Sequence, residues 1–366
     1  MPKYSHIKVC IVTISLAKGG AERSTAILSQ MLDSQGFNVH MVTLTNAIDY
    51  PYAGKLYNLG EFKDQQNNTL SRFKRFQQLR KYLKREQFDL IIDNRNRMSG
   101  LKELYYLNYI YRKQRVVYVV RSFNLAQYFP KQKAVSKLMV KRAVKIVGVA
   151  KAVSEAVNKQ FSTDKATTIY NPTPVFETKA APSPFKVKYV IFLGRLVENV
   201  KNFSLLLEGY KKSGISAVNV HLKIMGEGPD NDFIQNKIEE LGLSDTIEIV
   251  PFTPNIQPYI ANAEFLALTS HYEGFPRVLI EALSQQTPVV SVDCKSGPNE
   301  IIKQGENGLL VPNYNAEALG EAFAKMINEP KFLLHCKSNA LSSIAHLKTE
   351  QIAPQWSQLI IDAITH

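Results

Sequence analysis

The chain has 366 residues, a length that suits two domains with one hydrophobic core each. Apolar residues make up 45% and charged residues 21%, a globular composition that excludes a disordered chain. No apolar run approaches the roughly 18 residues of a membrane-spanning helix. The 3 cysteines are far apart and form no CxxC pair, which argues against a disulfide framework or a zinc site and favours the cytoplasm.

The net charge of +13 is concentrated in the first half of the chain. Residues 1–180 carry 30 basic and 12 acidic side chains, whereas residues 181–366 carry 15 basic and 20 acidic ones. This asymmetry predicts that the first half faces a polyanion, either nucleic acid or an anionic membrane surface.

The densest basic stretch predicts an amphipathic helix over Arg72–Arg85. Its apolar side chains recur at helical spacing, at Phe73, Phe76, Leu79 and Leu83. Such a helix can lie in a bilayer interface, and the same pattern also fits an ordinary helix packed on a core through its apolar stripe. The basic residues expected to meet anionic lipid are Arg72, Lys74, Arg75, Arg80, Lys81, Lys84 and Arg85.

Short apolar runs alternate with amphipathic stretches along the chain. In the first half, the predicted strands are Ile7–Ser15, Val39–Leu44, Leu90–Asp93, Val116–Val120 and Ile146–Val149. The predicted helices between them are Ala21–Gln35, Arg72–Arg85, Gly100–Arg112, Ala134–Ala143 and Ala152–Phe161. In the second half, the predicted strands are Tyr189–Leu193, His221–Met225, Ile247–Val250, Phe265–Leu268, Val289–Ser291 and Gly308–Val311. The predicted helices there are Phe203–Lys212, Phe233–Leu241, Arg277–Gln286 and Ala316–Met326.

This alternation predicts an α/β fold of two Rossmann-like, doubly wound parallel-sheet domains. The proline-rich segment Asn171–Pro184 predicts a stiff linker between them. Two such domains would face a cleft at the carboxyl ends of their strands, where ligands of these sheets bind.

Two loops carry glycines or cations at predicted strand ends. The loop with Gly19 and Gly20 opens a helix and lets an anion approach the backbone, although a plain strand–helix turn explains it equally well. It matches neither GxGxxG nor GxxxxGK[ST], which disfavours a dehydrogenase or a P-loop NTPase. In the loop with Arg195 and Lys201, the Arg can fork onto phosphate oxygens and the Lys can add a point charge.

The strongest motif is Glu273-Gly-Phe-Pro276, which precedes a predicted helix containing Glu281. The first turn of that helix offers backbone N–H groups to a diphosphate. A carboxylate beside a phosphate site is costly, and hydrogen bonding to sugar hydroxyls would explain why Glu273 and Glu281 are there. The alternative explanation for Glu281 is that it is an ordinary solvated residue of the helix.

These motifs together resemble the retaining glycosyltransferases of family 4, which have the GT-B fold. The resemblance covers nearly the whole chain, in the expected order, and rests on Gly19–Arg23, Ile169–Pro172, Gly194–Leu196 with Lys201, Gly226–Pro229, and Glu273–Pro276 with Glu281. The segment Asp293–Glu300 further resembles members that handle N-acetylhexosamines in bacterial surface glycans.

The resemblance implies a catalytic set of Arg195 and Lys201 on the donor diphosphate and Glu273 on the sugar hydroxyls. Glu281 would take the ribose and the Phe252 region the base. The implied donor-binding residues are Gly19, Gly20, Gly226, Phe252, Gly274, Phe275, Pro276, Arg277, Val278 and Glu281. No metal or cofactor is expected. The last helix, Gln351–Ile364, would cross back to the N-terminal domain, which gives predicted domains of residues 1–172, 173–350 and 351–366.

One departure from the family follows the strand Val116–Val120. Many members carry a His there, near the sugar, whereas this chain has Arg121, Ser122 and Asn124. Either these side chains serve instead or the contact is absent, and Arg121 and Asn124 become acceptor-side candidates. Arg95 and Arg97 follow another strand end and also suit an anionic acceptor, although an ordinary loop explains them nearly as well.

The implied function is a retaining, metal-independent hexosyltransferase of lipopolysaccharide or polysaccharide biosynthesis. It would move a hexose or N-acetylhexosamine from a nucleotide diphosphate sugar, foremost a UDP-sugar, to a lipid-linked or surface-glycan hydroxyl. It would bind peripherally to the inner face of the cytoplasmic membrane. The alternatives are a nucleotide-sugar epimerase of GT-B-like fold, or a nucleic-acid-binding protein, for which no motif is evident.

Overall fold

The computed structural model describes residues 3–17, 19–62, 69–173 and 182–365. Most of the predicted linker and the side chain of Arg72 lie outside the described residues. The chain divides into two compact units, which we call unit 1 (Met1–Pro172 with Thr349–His366) and unit 2 (Thr173–Lys348).

Over the described residues, unit 1 contains one parallel sheet of seven strands. The strands are β1 (Lys8–Thr13), β2 (Asn38–Thr43), β3 (Lys55–Asn58), β4 (Leu90–Asp93), β5 (Val116–Val120), β6 (Lys145–Gly148) and β7 (Ala166–Thr168). The helices before the second unit are α1 (Gly20–Ser34), α2 (Thr69–Glu86), α3 (Gly100–Tyr105), α4 (Lys133–Arg142) and α5 (Lys151–Phe161). The order β3-β2-β1-β4-β5-β6-β7 puts the most apolar strands in the centre, where both faces are buried.

Unit 2 contains a six-stranded parallel sheet, again counted over the described residues. Its strands are β8 (Lys188–Leu193), β9 (Val220–Met225), β10 (Ile247–Val250), β11 (Leu266–Leu268), β12 (Val289–Asp293) and β13 (Gly308–Pro312), in the order β10-β9-β8-β11-β12-β13. Its helices are α6 (Glu198–Lys201), α7 (Phe203–Ser213), α8 (Asn231–Glu240), α9 (Gln257–Ala261), α10 (Arg277–Ser284), α11 (Pro298–Ile301), α12 (Ala316–Asn328) and α13 (Pro330–Ser343). The prediction of two parallel-sheet domains is confirmed.

The last helix, α14 (Thr349–Thr365), belongs to unit 1, as predicted for the C-terminal helix. It packs against α1 and β4. Its buried face includes Ile352, Trp356 and Ile360, which are at most 4% exposed. This apolar stripe explains why the helix returns to the first sheet, because it covers surface that α1 and β4 would otherwise expose.

The predicted amphipathic helix forms as α2, and its apolar stripe divides in two. Leu79 and Leu83 are buried in the core, at 0% and 1% exposure, whereas Phe73 is 45% exposed. Phe76 packs between these two regions, with its ring centroid 5.6 Å from that of Tyr106. Most of the stripe is therefore used for folding, and only its N-terminal end faces outward. Among the described helices, none combines the length and apolar character needed to cross a membrane.

Candidate functional site

The loops that follow β8 and β9 pack against each other at the carboxyl edge of the unit 2 sheet. The Leu196 N–H donates to the carbonyl of Glu227 at 2.9 Å. A Cβ atom on Gly226 would collide with the Gly194 carbonyl oxygen, and one on Gly228 with the Leu196 carbonyl. Because the two backbones are in direct contact, Gly226 and Gly228 of the Gly226–Pro229 motif must both be glycine.

The connection after β8 carries two cationic side chains, of which one is exposed and the other is in an ion pair. The Arg195 side chain is exposed and makes no ion pair within the described part of the chain. Lys201 is the last residue of α6, and its Nζ lies 2.6 Å from Oε1 of Glu273. The Lys201 and Glu273 side chains are only 16% and 15% exposed. One cation is therefore open to a ligand, while the other is held by a carboxylate.

Two hydroxyl side chains to which the sequence analysis assigned no role support this pair. The Ser270 Oγ donates to the same Oε1 of Glu273 at 2.7 Å. The Thr269 Oγ1 donates to the Lys201 carbonyl at 2.9 Å, which fixes the end of α6. Their position in the sequence could have identified them, because both lie between the end of β11 and Glu273.

The segment after β12 is hydrogen-bonded to the Glu273 motif. The Glu273 N–H donates to the Lys295 carbonyl at 3.1 Å, and the Ser296 Oγ donates to the Gly274 carbonyl at 2.7 Å. Burial raises the pKa of the neighbouring Cys294 thiol to about 12, and the Glu273 charge adds to the shift. Cys294 therefore stays protonated and packs as an apolar residue.

The supporting segment adopts a backbone conformation that side chains disfavour. Ser296 has φ +73 and Gly297 has φ +100, both in the left-handed region. A Cβ atom on Gly297 would collide with Pro276 and lie 2.9 Å from the Gly274 carbonyl oxygen. The glycine thus brings the supporting segment into direct contact with the Glu273 motif.

Helix α10 begins immediately after the motif. Pro276 is its N-cap, and the helix starts at Arg277, as predicted. Arg277 and Glu281 form an ion pair of 3.3 Å along the helix, and their side chains are 7% and 4% exposed. Gly274 and Phe275 are buried and Val278 is half-buried. The roles predicted for these residues in donor binding stay predictions.

Phe252 lies apart from these contacts in the described structure. It follows β10, the outermost strand of the sheet, and is 38% exposed. Among the described residues, no hydrogen bond or ring contact joins it to the Glu273 motif. Its contact with a base remains a prediction.

In unit 1, the predicted glycine loop leads into α1. Gly19 is the N-cap, and Gly20 is the first helical residue. Both follow β1 at the carboxyl edge of the sheet. A Cβ atom on Gly19 would collide with the Glu22 carboxylate, so the turn is closed by the first acidic side chain of the helix.

Arg121 is oriented by two asparagines at the same edge of the unit 1 sheet. Its Nε donates to Asn94 Oδ1 at 3.0 Å, and its Nη1 donates to Asn171 Oδ1 at 2.8 Å. Asn94 follows β4 and Asn171 lies just beyond β7, so three strand ends meet at this guanidinium. Asn124 lies nearby in sequence and is half-buried, with its N–H on the Ser122 Oγ at 3.1 Å.

The structure does not support the prediction that Arg95 and Arg97 bind an acceptor. Both side chains are internal, at 1% and 0% exposure. Arg95 Nη2 lies 2.7 Å from Asp93 Oδ2 and 3.0 Å from Glu103 Oε2. The Arg97 side chain donates four hydrogen bonds, to the backbone carbonyls of Asp93, Arg95, Val119 and Tyr128.

A buried carboxylate explains why these two arginines turn inward. Burial alone would raise the pKa of Asp93, but the Arg95 and Arg97 guanidinium groups outweigh it and hold that pKa below its ordinary value. The Tyr111 hydroxyl also donates to Asp93 at 3.1 Å. The cluster is thus a neutralised internal network, and an unpaired member would carry a large desolvation cost.

Family models match both halves of the chain. A model described as "Glycosyltransferase Family 4" matches residues 18–175, and one described as "Glycosyl transferases group 1" matches residues 176–342. The chain is also 29% identical, over 351 residues, to the N-acetylgalactosamine-N,N'-diacetylbacillosaminyl-diphospho-undecaprenol 4-alpha-N-acetylgalactosaminyltransferase of Campylobacter jejuni. That alignment covers 91% of this chain and 93% of the relative.

Solved structures share the fold over almost the whole chain. A mutant of S. aureus TarM, in complex with fondaparinux, α-GlcNAc-glycerol and UDP, has a TM-score of 0.79 at 17% identity, covering 97% of this chain and 99% of that one. The Anabaena protein HepE, in complex with UDP and glucose, has a TM-score of 0.77 at 18% identity, covering 97% and 100%. At these identities the likeness is one of fold.

Proposed function

Since the chain belongs to the group 1 and family 4 glycosyltransferases and has the GT-B fold, we propose that it is a retaining hexosyltransferase that uses a UDP-sugar. The sugar moved is a hexose or an N-acetylhexosamine. Neighbours of the same fold were solved with UDP, which supports uridine as the base. The acceptor is a hydroxyl of a lipid-linked or lipopolysaccharide glycan, in the biosynthesis of a surface polysaccharide.

One observation carries the donor site: Lys201, at the end of α6, and Glu273, in the loop after β11, meet at 2.6 Å, and the exposed Arg195 precedes α6 in the same connection. Two cations suit the two phosphates of a nucleotide diphosphate, and a carboxylate suits sugar hydroxyls. Because the cations supply the charge that a divalent metal supplies elsewhere, the proposed reaction needs no metal ion.

In the proposed reaction, the acceptor hydroxyl attacks the anomeric carbon on the face from which the diphosphate departs. The C–O bond to the diphosphate breaks, and the departing diphosphate takes the proton of the acceptor hydroxyl. Arg195, Lys201 and the first turn of α10 stabilise the negative charge that develops. Positioning and charge stabilisation provide the catalysis, and no protein nucleophile is assigned.

The acceptor side of the proposal rests on unit 1 and on the relatives. The C. jejuni relative is named for transfer to an undecaprenol-linked sugar, and such an acceptor resides in a membrane. The basic residues of α2 fit an anionic bilayer surface, where each contributes about 1 kcal/mol. We therefore place the enzyme at the inner face of the cytoplasmic membrane, with Arg121 and Asn124 as the acceptor-side candidates.

The test combines donor binding with the anomeric outcome. Thermal unfolding is measured with UDP, GDP, ADP and CMP, followed by NMR of the product formed from UDP-glucose, UDP-galactose and their N-acetylhexosamine analogues. Stabilisation by UDP and an α-linked product from an α-linked donor are expected. Lys201→Met should abolish turnover, whereas Lys212→Met, which breaks the exposed 2.7 Å pair with Glu317, should not. Inversion, or sugar release without any acceptor, would contradict the proposal.

A further inference from the structure

The exposed large apolar side chains of unit 1 gather at one edge of its sheet. Within the described ranges, they are Ile14, Phe62, Phe73, Met98 and Leu101. Leu101 is 85% exposed and Met98 64% exposed, the two largest values among them. Side chains of this size are costly to leave in water unless they have a partner.

The topology brings these residues together. Met98 and Leu101 follow β4, Ile14 follows β1, and Phe62 ends the 3-10 turn that follows β3. Because the strands are parallel, all of these positions lie at the carboxyl edge of the sheet. Phe73 lies in the N-terminal part of α2, whose other end leads into the start of β4, so it lies toward the same edge.

Ring contacts join α2 to α3 at this edge. Tyr105 lies four residues after Leu101 on α3, on the same face of the helix. The Tyr105 ring centroid is 6.3 Å from that of Phe73 and 5.4 Å from that of Phe76. We call Phe73, Met98, Leu101 and Tyr105 the edge patch.

Basic side chains border the edge patch. Lys74 and Lys102 are exposed and adjacent in sequence to Phe73 and Leu101. The exposed Lys81, Lys84 and Arg85 lie at the other end of α2, toward the opposite edge of the sheet, and are not part of this border. Exposed apolar side chains beside exposed lysines match the layering of a bilayer interface, where acyl chains lie beneath headgroups that carry the phosphates.

We propose that the edge patch inserts into the interface of an anionic bilayer, with Leu101 and Met98 deepest. The inference deepens the membrane contact of the proposed function and changes the residues that make it. Leu79 and Leu83 of α2 are already buried in the core, so α2 supplies charge, and the start of α3 supplies the apolar insertion. The same sheet edge carries Arg121, so insertion brings the acceptor-side candidate to the membrane surface.

Vesicle co-sedimentation of the full chain tests the proposal, with phosphatidylglycerol and phosphatidylcholine vesicles and no sugar substrate. The variant is Met98→Ser with Leu101→Ser. The matched control is Leu334→Ser with Leu341→Ser, which removes two exposed leucines of α13 in unit 2. A third variant, Lys74→Gln with Lys102→Gln, removes charge at the border of the edge patch and leaves its apolar side chains in place.

The edge-patch variant should lower the partition coefficient onto phosphatidylglycerol by about tenfold or more. It should also lower the residual partition onto phosphatidylcholine, whereas the charge variant should act on phosphatidylglycerol alone. The unit 2 control should bind as the unchanged chain does. Equal binding by the edge-patch variant, or an equal loss in the control, would overturn the proposal. Because all substituted residues are exposed and no sugar is present, this outcome is independent of whether the UDP-sugar proposal holds.

Discussion

Lys201 and Glu273 are 72 positions apart in the chain, yet Nζ and Oε1 lie 2.6 Å apart. Ser270 donates to the same oxygen, so the carboxylate has two donors. A diphosphate that takes the Lys201 ammonium would compete with this carboxylate. We therefore expect donor binding to release Glu273 toward the sugar hydroxyls.

Glu273→Gln should separate binding from turnover. The loss of the carboxylate removes a competitor for Lys201, so the Kd for UDP should stay the same or fall. The kcat should drop by about 100-fold or more, because the sugar loses a charged partner in the transition state. Calorimetry with UDP and a transfer assay measure the two quantities. A Kd for UDP that rises while kcat is kept would contradict the assigned role.

Arg195→Ala should lose activity without losing stability. The side chain is exposed and has no ion pair in the described structure, so the free energy of unfolding should change by about 0.5 kcal/mol or less. The value of kcat/KM should fall by about 100-fold. Lys211→Ala, an exposed lysine at the end of α7, is the control and should leave both quantities unchanged.

Gly297→Ala should disturb the Glu273 motif more than strain alone accounts for. Gly242 also has a positive φ, of +69, but a Cβ there meets nothing within 4 Å, whereas one on Gly297 collides with Pro276. Both substitutions cost about 1 kcal/mol of backbone strain. We expect only Gly297→Ala to lower kcat as well, by about tenfold. Equal activity in the two variants would show that the close contact does not position the motif.

Arg95→Leu tests the internal network directly. It leaves the buried Asp93 and Glu103 carboxylates without their main partner, so we expect a loss of about 3–5 kcal/mol in the free energy of unfolding. Arg85→Leu removes an arginine whose side chain is 69% exposed and should cost less than about 1 kcal/mol. Urea denaturation compares the two. A small effect for Arg95→Leu would mean that the cluster relaxes or admits water.

The lowered pKa of Asp93 predicts acid sensitivity. A carboxyl group whose folded-state pKa is below its unfolded value stabilises the fold above the unfolded pKa, and this contribution disappears as the pH falls through the folded value. Asp93→Asn cannot titrate. Its destabilisation relative to the unchanged chain should therefore be largest near pH 7 and shrink at about pH 3. A difference that is independent of pH would contradict the network assignment.

The sheets were more predictable than their edges. Buried strands such as β4 and β5 begin and end where their apolar runs do, because both faces must be covered. The strands β3 and β7 were not predicted. They are three or four residues long, partly exposed and at the two ends of the sheet, so no apolar run marks them. Pairing with β2 and β6 makes them strands, and pairing is not a local property.

For the candidate site too, the sequence predicted some features and not others. The sequence indicated which residues follow strand ends, since alternating strands and helices put those loops on one edge. It did not indicate which way their side chains turn. Arg95 and Arg121 both follow central strands, but Arg95 turns toward the buried Asp93, while Arg121 is held at the edge by Asn94 and Asn171. An aspartate at the end of the otherwise apolar strand Leu90–Asp93 was the available signal, because a buried carboxylate needs a cation.

The return of α14 to unit 1 constrains the order in which the two units can finish folding during synthesis. The ribosome makes the first sheet early, but the helix that covers α1 and β4 follows unit 2 in the chain. Until Trp356 and Ile360 emerge, the nascent first unit keeps an apolar strip open to water. Unit 2 has no such dependence and is complete at Lys348. Unit 1 can therefore finish folding only after unit 2 has been synthesised, and a chain truncated before α14 exposes apolar surface that favours aggregation.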